Sequence, residues 1–287
     1  MSIAFSGSVY SQYYNVAAGS NAPMMEMRDE RGAVVKDGSG KVRFTEVKKD
    51  SHGNAHGNQY DLAVDGAFEG QTIAVLQLYS FDFEQPKAAL KEKGFSVYRW
   101  IGNPPTASEL DKALEKSCQL WIISDMTRKL NEDHLKVIKK YFDAGHGVYI
   151  WGDNEPYYAD ANAVADYLFG GTMTGNLMGD QTVGLQMSEN KSGLKRGHLI
   201  TTGLEYVYEG ITIATIGQNS KLEPILYGSA DNVVASVYNH DGKRAILDGG
   251  FTRLYNKWET AGTGRYVKNA AAWLVNVERF GEDLGKK

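Results

Sequence analysis

Between Thr72 and Gly152 the chain alternates short apolar runs, TIAVLQL, FSVYRW, QLWIIS and GVYIWG, with amphipathic stretches, FEQPKAALKEKG, TASELDKALEKS and NEDHLKVIKKYFDAG. An apolar run of strand length followed by a helical period is the pattern of successive βαβ units, which pack as a mostly parallel sheet with helices on its faces. No other feature restricts the architecture as strongly. It predicts an α/β fold, a flavodoxin-like three-layer sandwich with a mostly parallel sheet. Thr106 and Asn131 stand where helix N-caps are needed, because a short side-chain oxygen satisfies first-turn N–H groups.

The texture changes after Gly170. GGTMTGNLMGDQTVG is rich in Gly, Thr and Asn with little periodicity, and is expected to be a surface loop. Further on, VVASVYNHDGKRAILDGG joins two apolar runs through Asp241-Gly242, a pair suited to turns of positive φ, so an antiparallel C-terminal hairpin is expected. In the last regular element, GRYVKNAAAWLVNVERF, Tyr266, Val267, Ala270, Trp273, Leu274 and Val277 share one helical face. Residues 1–70 are richer in Ser, Gly, Asn and Tyr. The expected division is a β-rich N-terminal extension over 1–70 and an α/β domain over 71–287.

At 287 residues, 42% hydrophobic and 23% charged, the chain has the ordinary balance of a globular protein with a sizeable core. Its net charge of -4 leaves no cationic surplus for a phosphate backbone, so no nucleic-acid partner is expected. The first residues lack the charged start and apolar run of a signal peptide, and no stretch reaches the roughly 18 apolar residues of a membrane span. A cytoplasmic location without a membrane partner follows as the expectation. The one cysteine, Cys118, precedes QLWIIS and reads as a buried structural thiol.

In an open parallel sheet, ligands bind beyond the carboxyl ends of the strands. Those positions carry Asp82, Asp125, the trio Asp153, Asn154 and Glu155, and Asp248 at the end of RAILDG. Converging carboxylates and amides can hold a divalent cation or polyol hydroxyls and activate water. That chemistry describes a metal-assisted hydrolase, or a binding module for a small polar ligand such as a sugar or nucleotide. The competing expectation is that the same residues cap the next helices, a common use of Asp and Asn after a strand.

LNEDHLKVIKKYFDAGHGVYIWGD has a helix, glycine and strand rhythm, and a GG…N…AAWL passage leads into the C-terminal helix. Over residues 72–277 this order resembles the class I glutamine amidotransferase-like superfamily. It is similar in particular to noncatalytic domains of gliding-motility transporter and intraflagellar-transport proteins. In catalytic members the turn after the equivalent of GVYIWG holds a cysteine in a glycine-flanked elbow, followed later by a histidine and an acid. Here the turn reads Ile150, Trp151, Gly152, Asp153, Asn154, with neither cysteine nor a G-x-S-x-G serine. The resemblance implies assembly or ligand recognition, and no catalytic residue carries over from it.

LDGGFTRLYNKWETAGTGRYVKNAAAWL gathers Arg253, Tyr255, Lys257, Trp258 and Arg265 among glycines. AGTGR can present N–H groups at the start of the last helix to an anion, and the rings of Tyr255 and Trp258 suit a sugar face. The competing expectation is a structural loop with Arg253 or Arg265 paired to Asp153 or Asp248. HGNAHGN holds His52 and His56 without a third ligand and reads as a solvated loop. Of the other histidines only His198 stands where a base is worth testing. SVYSQYYNV alternates like a strand, so Tyr10, Tyr13 and Tyr14 are candidates for addition to the sheet edge of a second copy. The functional expectation is a noncatalytic, homo-oligomeric structural or interaction protein with no cofactor, a divalent cation belonging to the hydrolase alternative.

Overall fold

The structure, a computed structural model, describes residues 14, 15, 21 and 23–284. Tyr10 and Tyr13 lie outside the described residues. The N-terminal segment contributes a short antiparallel pair, β1 (Met24–Glu26) and β2 (Phe44–Glu46). The alternation that follows folds as β3 (Thr72–Gln77), α1 (Glu84–Glu92), β4 (Ser96–Ile101), α2 (Ala107–Leu114), β5 (Gln119–Ile123), α3 (Glu132–Asp143), β6 (Gly147–Trp151) and α4 (Ala159–Phe169). Thr106 and Asn131 each close a capping box, the second with His134 in the reciprocal position.

Five parallel strands, with β4 at the edge and β14 (Lys243–Asp248) beside β6, form one side of an eight-stranded sheet. In order of appearance within the α/β domain these five stand 2-1-3-4-5, the flavodoxin-like arrangement. The sheet continues antiparallel through β13 (Val233–His240), β12 (Leu222–Tyr227) and the two-residue edge strand β9 (Gly193–Leu194). The hairpin turn is the expected one, with Asp241 at φ 53° and Gly242 at φ 68°.

Both faces of β3, β5, β6 and β14 are covered, which is why they read as nearly continuous apolar runs, whereas the edge strand β4 is partly exposed. Ile73, Val75, Trp121, Tyr149 and Ile246 face a core completed by α1 and by α5 (Thr263–Leu274). Ala74, Leu76, Ile122, Ile150 and Leu247 face the other core, under α2, α3 and α4. α5 sits close against the sheet: a Cβ on Gly147 would stand 2.2 Å from the Leu274 carbonyl oxygen, so only glycine fits there.

Two expectations need correction. The segment after Gly170 is not a loop throughout, for it forms β7 (Met173–Met178) and β8 (Thr182–Val183). These pair antiparallel with β11 (Thr212–Ile216) and β10 (Val207–Tyr208). Most β7 side chains are exposed, so no apolar alternation announces the strand, and its partner is remote in sequence. The C-terminal helix also breaks at Asn276, φ 58°, before α6 (Val277–Leu284). Asn276 Nδ2 donates to the carbonyls of Gly145 and Gly242, which fixes the break, while Val277 stays buried as its pattern predicts.

Candidate functional site

The turn after β6 carries a carboxylate in the protein interior. Asp153 is fully buried. Its Oδ1 accepts from Thr212 Oγ1 at 2.7 Å and from the Asn154 N–H at 2.9 Å, and its Oδ2 accepts from the Thr252 N–H at 2.9 Å. The carboxylate therefore ties the turn to β11 and to the loop after β14. Burial pushes its pKa up to about 6, and the hydrogen bonds from Thr212, Asn154 and Thr252 oppose that rise. Because the folded value lies above the unfolded one, stability from this group is full below about pH 4 and falls as pH rises to 6. The expected result is a carboxyl carbon resonance of Asp153 titrating near pH 6; a midpoint at the ordinary aspartate value would contradict the burial argument.

Asp248, at the end of β14, is equally buried and serves a second polar centre. Its Oδ1 meets Arg253 Nη2 at 2.7 Å and the Gly250 N–H at 3.1 Å, while Oδ2 accepts from Tyr266 at 3.0 Å and Tyr149 at 3.2 Å. Burial raises its pKa and the Arg253 guanidinium pulls it back. Arg253 is fully buried, packed near the rings of Tyr266 and Trp151, and its Nη1 has no hydrogen-bond partner. One of the four expected arginine pairings is thus present, Arg253 with Asp248.

The remaining strand-end residues act locally. Exposed Asp82 accepts from the Glu84 N–H at the start of α1, and Asp125 pairs with Lys129 at 2.6 Å. Asn154 donates to the Glu155 carbonyl, and Glu155 is exposed. Over the carboxyl edge lies an aromatic cluster, with Tyr79 stacked on Phe251 at 5.4 Å, Phe81 on Tyr255 at 4.4 Å, and Tyr157 edge-on to Tyr79 at 5.3 Å. The strand-edge carboxylates thus serve caps, ion pairs and buried hydrogen bonds. Among the described residues no group of three or more His, Cys, Asp or Glu is placed to hold a metal ion.

Trp258 and Arg265 fall in a different place. They line a cavity of about 260 Å³ with the HGNAHGN loop and the start of α5. Arg265 pairs with neither Asp153 nor Asp248 but with Asp61, Nε to Oδ1 at 2.6 Å. Asp61 also meets Lys93 at 2.9 Å and Lys268 at 2.7 Å, so one buried carboxylate gathers three cations. Sequence reasoning missed Asp61 and Asn54; the two histidines on either side of Asn54 were the signal, and they lacked a visible partner until α5 was placed beside them. Tyr14 is half-buried against the core and bridges Ala63 within its own chain.

The histidines have structural surroundings. His198 caps a short 3-10 turn through Nδ1, accepting from the Ile200 N–H at 3.1 Å, and burial pushes its pKa down to about 4. His146 stacks between Tyr141 and Phe280, and His134 Nε2 lies 2.7 Å from the Pro105 carbonyl oxygen. Cys118 is only half-buried, beside rather than inside the core.

Fold and site define a flavodoxin-like α/β protein whose sheet edge is closed by aromatic rings and internal hydrogen bonds. No protein-family model and no curated protein matches the sequence. Among solved structures the chain is similar to a protein from Thermoplasma acidophilum assigned as part of a GMP synthase, with TM-score 0.48 and 13% identity over 75% of this chain and 98% of that one. It is similar to a ThuA-like protein from Parabacteroides merdae, with TM-score 0.46 and 13% identity over 72% of this chain and 90% of that one. PurLQS from Thermotoga maritima gives TM-score 0.42 and 10% identity over 71% of this chain and 99% of that one. At such identities the likeness concerns the path of the chain. Among the described residues no helix is long and apolar enough to cross a membrane.

Proposed function

We propose that this protein is a noncatalytic interaction protein that self-associates through its N-terminal segment. The observation that carries the reading is the β1–β2 arm, in which both strands are exposed along their whole length. Met24 is 52% exposed, Met25 43%, Met27 38% and Phe44 57%. A two-stranded pair of three residues each is marginal in water by itself, and apolar side chains on both its faces favour a covering partner. A second copy of the arm supplies matching apolar faces and free strand edges. The noncatalytic part is supported by Asp153, which occupies the turn after β6 with both carboxylate oxygens engaged and with no positive φ of a strained elbow.

Light scattering on the full chain tests the reading. The expected mass is a multiple of the 31.7 kDa protomer, and the double variant Met25→Glu/Phe44→Glu is expected to return it to the protomer mass with an unchanged circular dichroism spectrum. Both side chains are exposed, so the variants do not disturb the core. A monomeric wild type, or an oligomer indifferent to the two glutamates, would sink the proposal.

A further inference from the structure

The cavity beside α5 has the donor arrangement of an anion site. α5 has 12 residues, its N-cap is Gly262 at φ 59°, and no side chain caps it. Its first-turn N–H groups have no intrahelical acceptor, and the helix dipole concentrates partial positive charge there. Thr263 and Gly264, in that turn, line the cavity.

A second observation is independent of the helix. Asn54 lines the same cavity and is 1% exposed. Its Oδ1 accepts from the Glu205 N–H at 2.8 Å and the Tyr206 N–H at 2.9 Å, which settles the orientation of the amide. The donor end, Nδ2, is left without an acceptor, 3.1 Å from where a Cβ on Gly262 would stand. A buried amide donor in that state is costly, and an oxygen entering between Asn54 and α5 relieves it. The imidazoles of His52 and His56 border the cavity as well, each with a ring N–H to donate.

The charges nearby do not oppose an anion as strongly as their number suggests. Asp61 is neutralised by Lys93, Arg265 and Lys268, and Asp50 accepts the His52 and Asn54 N–H groups of its own turn. Asp50 and exposed Glu259 are the lining acids without a cation partner among the described residues, and the charge of Asp50 is spread over the N–H groups of its turn.

We propose that this cavity binds the oxyanion of a small ligand, a carboxylate or phosphate group seated on the first turn of α5 with Asn54 Nδ2 as a further donor. Trp258, whose ring lies 3.4 Å from the position of a Cβ on Gly264, gives the rest of the ligand an aromatic wall. None of the lining residues belongs to β1 or β2, and the proposal does not depend on self-association.

The test titrates the full chain with inorganic phosphate and separately with acetate, at ionic strength matched with sodium chloride. The readout is the amide resonances of Thr263 and Gly264 and the side-chain amide of Asn54. A saturable shift of these resonances is expected, and the anion that saturates at lower concentration identifies the group. Gly264→Glu sets a carboxylate on the same turn, its Cβ in ordinary contact with Trp258, and is expected to weaken binding by about tenfold or more without loss of stability. Glu259→Gln is expected to strengthen binding by about threefold. No saturable response to either anion, an unchanged response in Gly264→Glu, or shifts confined to surface lysines would overturn the proposal.

Discussion

Replacing Asp61 by alanine is expected to cost about 3–5 kcal/mol of unfolding free energy, because it strands buried cations that were paired. Lys93 is fully buried, and Lys268 and Arg265 nearly so. Lys93 would keep only exposed Asp65, Lys268 would keep half-exposed Glu92, and Arg265 would keep the carbonyls of Gly203 and Gly57. Urea unfolding measures the loss, and Asp61→Asn separates charge from volume: a loss of under about 1 kcal/mol for both variants would show that the cluster is idle. Burial raises the Asp61 carboxyl, but Lys268, Lys93 and Arg265 together hold it below the ordinary aspartate value. A depressed folded pKa gives stability that is present above the unfolded value near 4 and is lost as pH falls through the folded one. Acid is therefore expected to release the N-terminal segment from α5.

The second large effect is at Asp248. Asp248→Ala leaves the fully buried Arg253 guanidinium without its counter-ion and Tyr149 and Tyr266 without their acceptor. A loss of about 3–5 kcal/mol is expected. The double variant Asp248→Ala/Arg253→Met is expected to be more stable than Asp248→Ala alone, since an apolar side chain in that pocket has no charge to bury. If the two losses simply add, the residues do not act as a pair.

How far the sequence could be read follows from where each signal resides. The parallel strands, their helices and the 241–242 turn were legible because apolar period, cap and turn chemistry all lie within a few residues of one another. The capping role of Asp82 was legible for the same reason. β7 and β11 were hidden, since their side chains carry little alternation and the partners are separated by dozens of residues. Arg253 with Asp248 was anticipated across a short loop, whereas Arg265 meets Asp61 across 204 positions. Which Asp a buried Arg meets is decided by helix placement, and nothing local to Arg265 records it. The cavity was likewise split between two motifs, HGNAHGN and AGTGR, each ambiguous until packed against the other.

The same long-range pairing sets an order on synthesis. The Leu62 N–H donates to Asn269 Oδ1 across 207 positions, and Asp61 waits for Arg265 and Lys268. At about 5–20 residues per second, a ribosome takes roughly 10–40 s to make the intervening chain. Throughout that interval the sheet grows while Asp61 has Lys93 within reach but lacks its two partners on α5. A stop codon early in α5 would therefore undo the beginning of the molecule as well as its end.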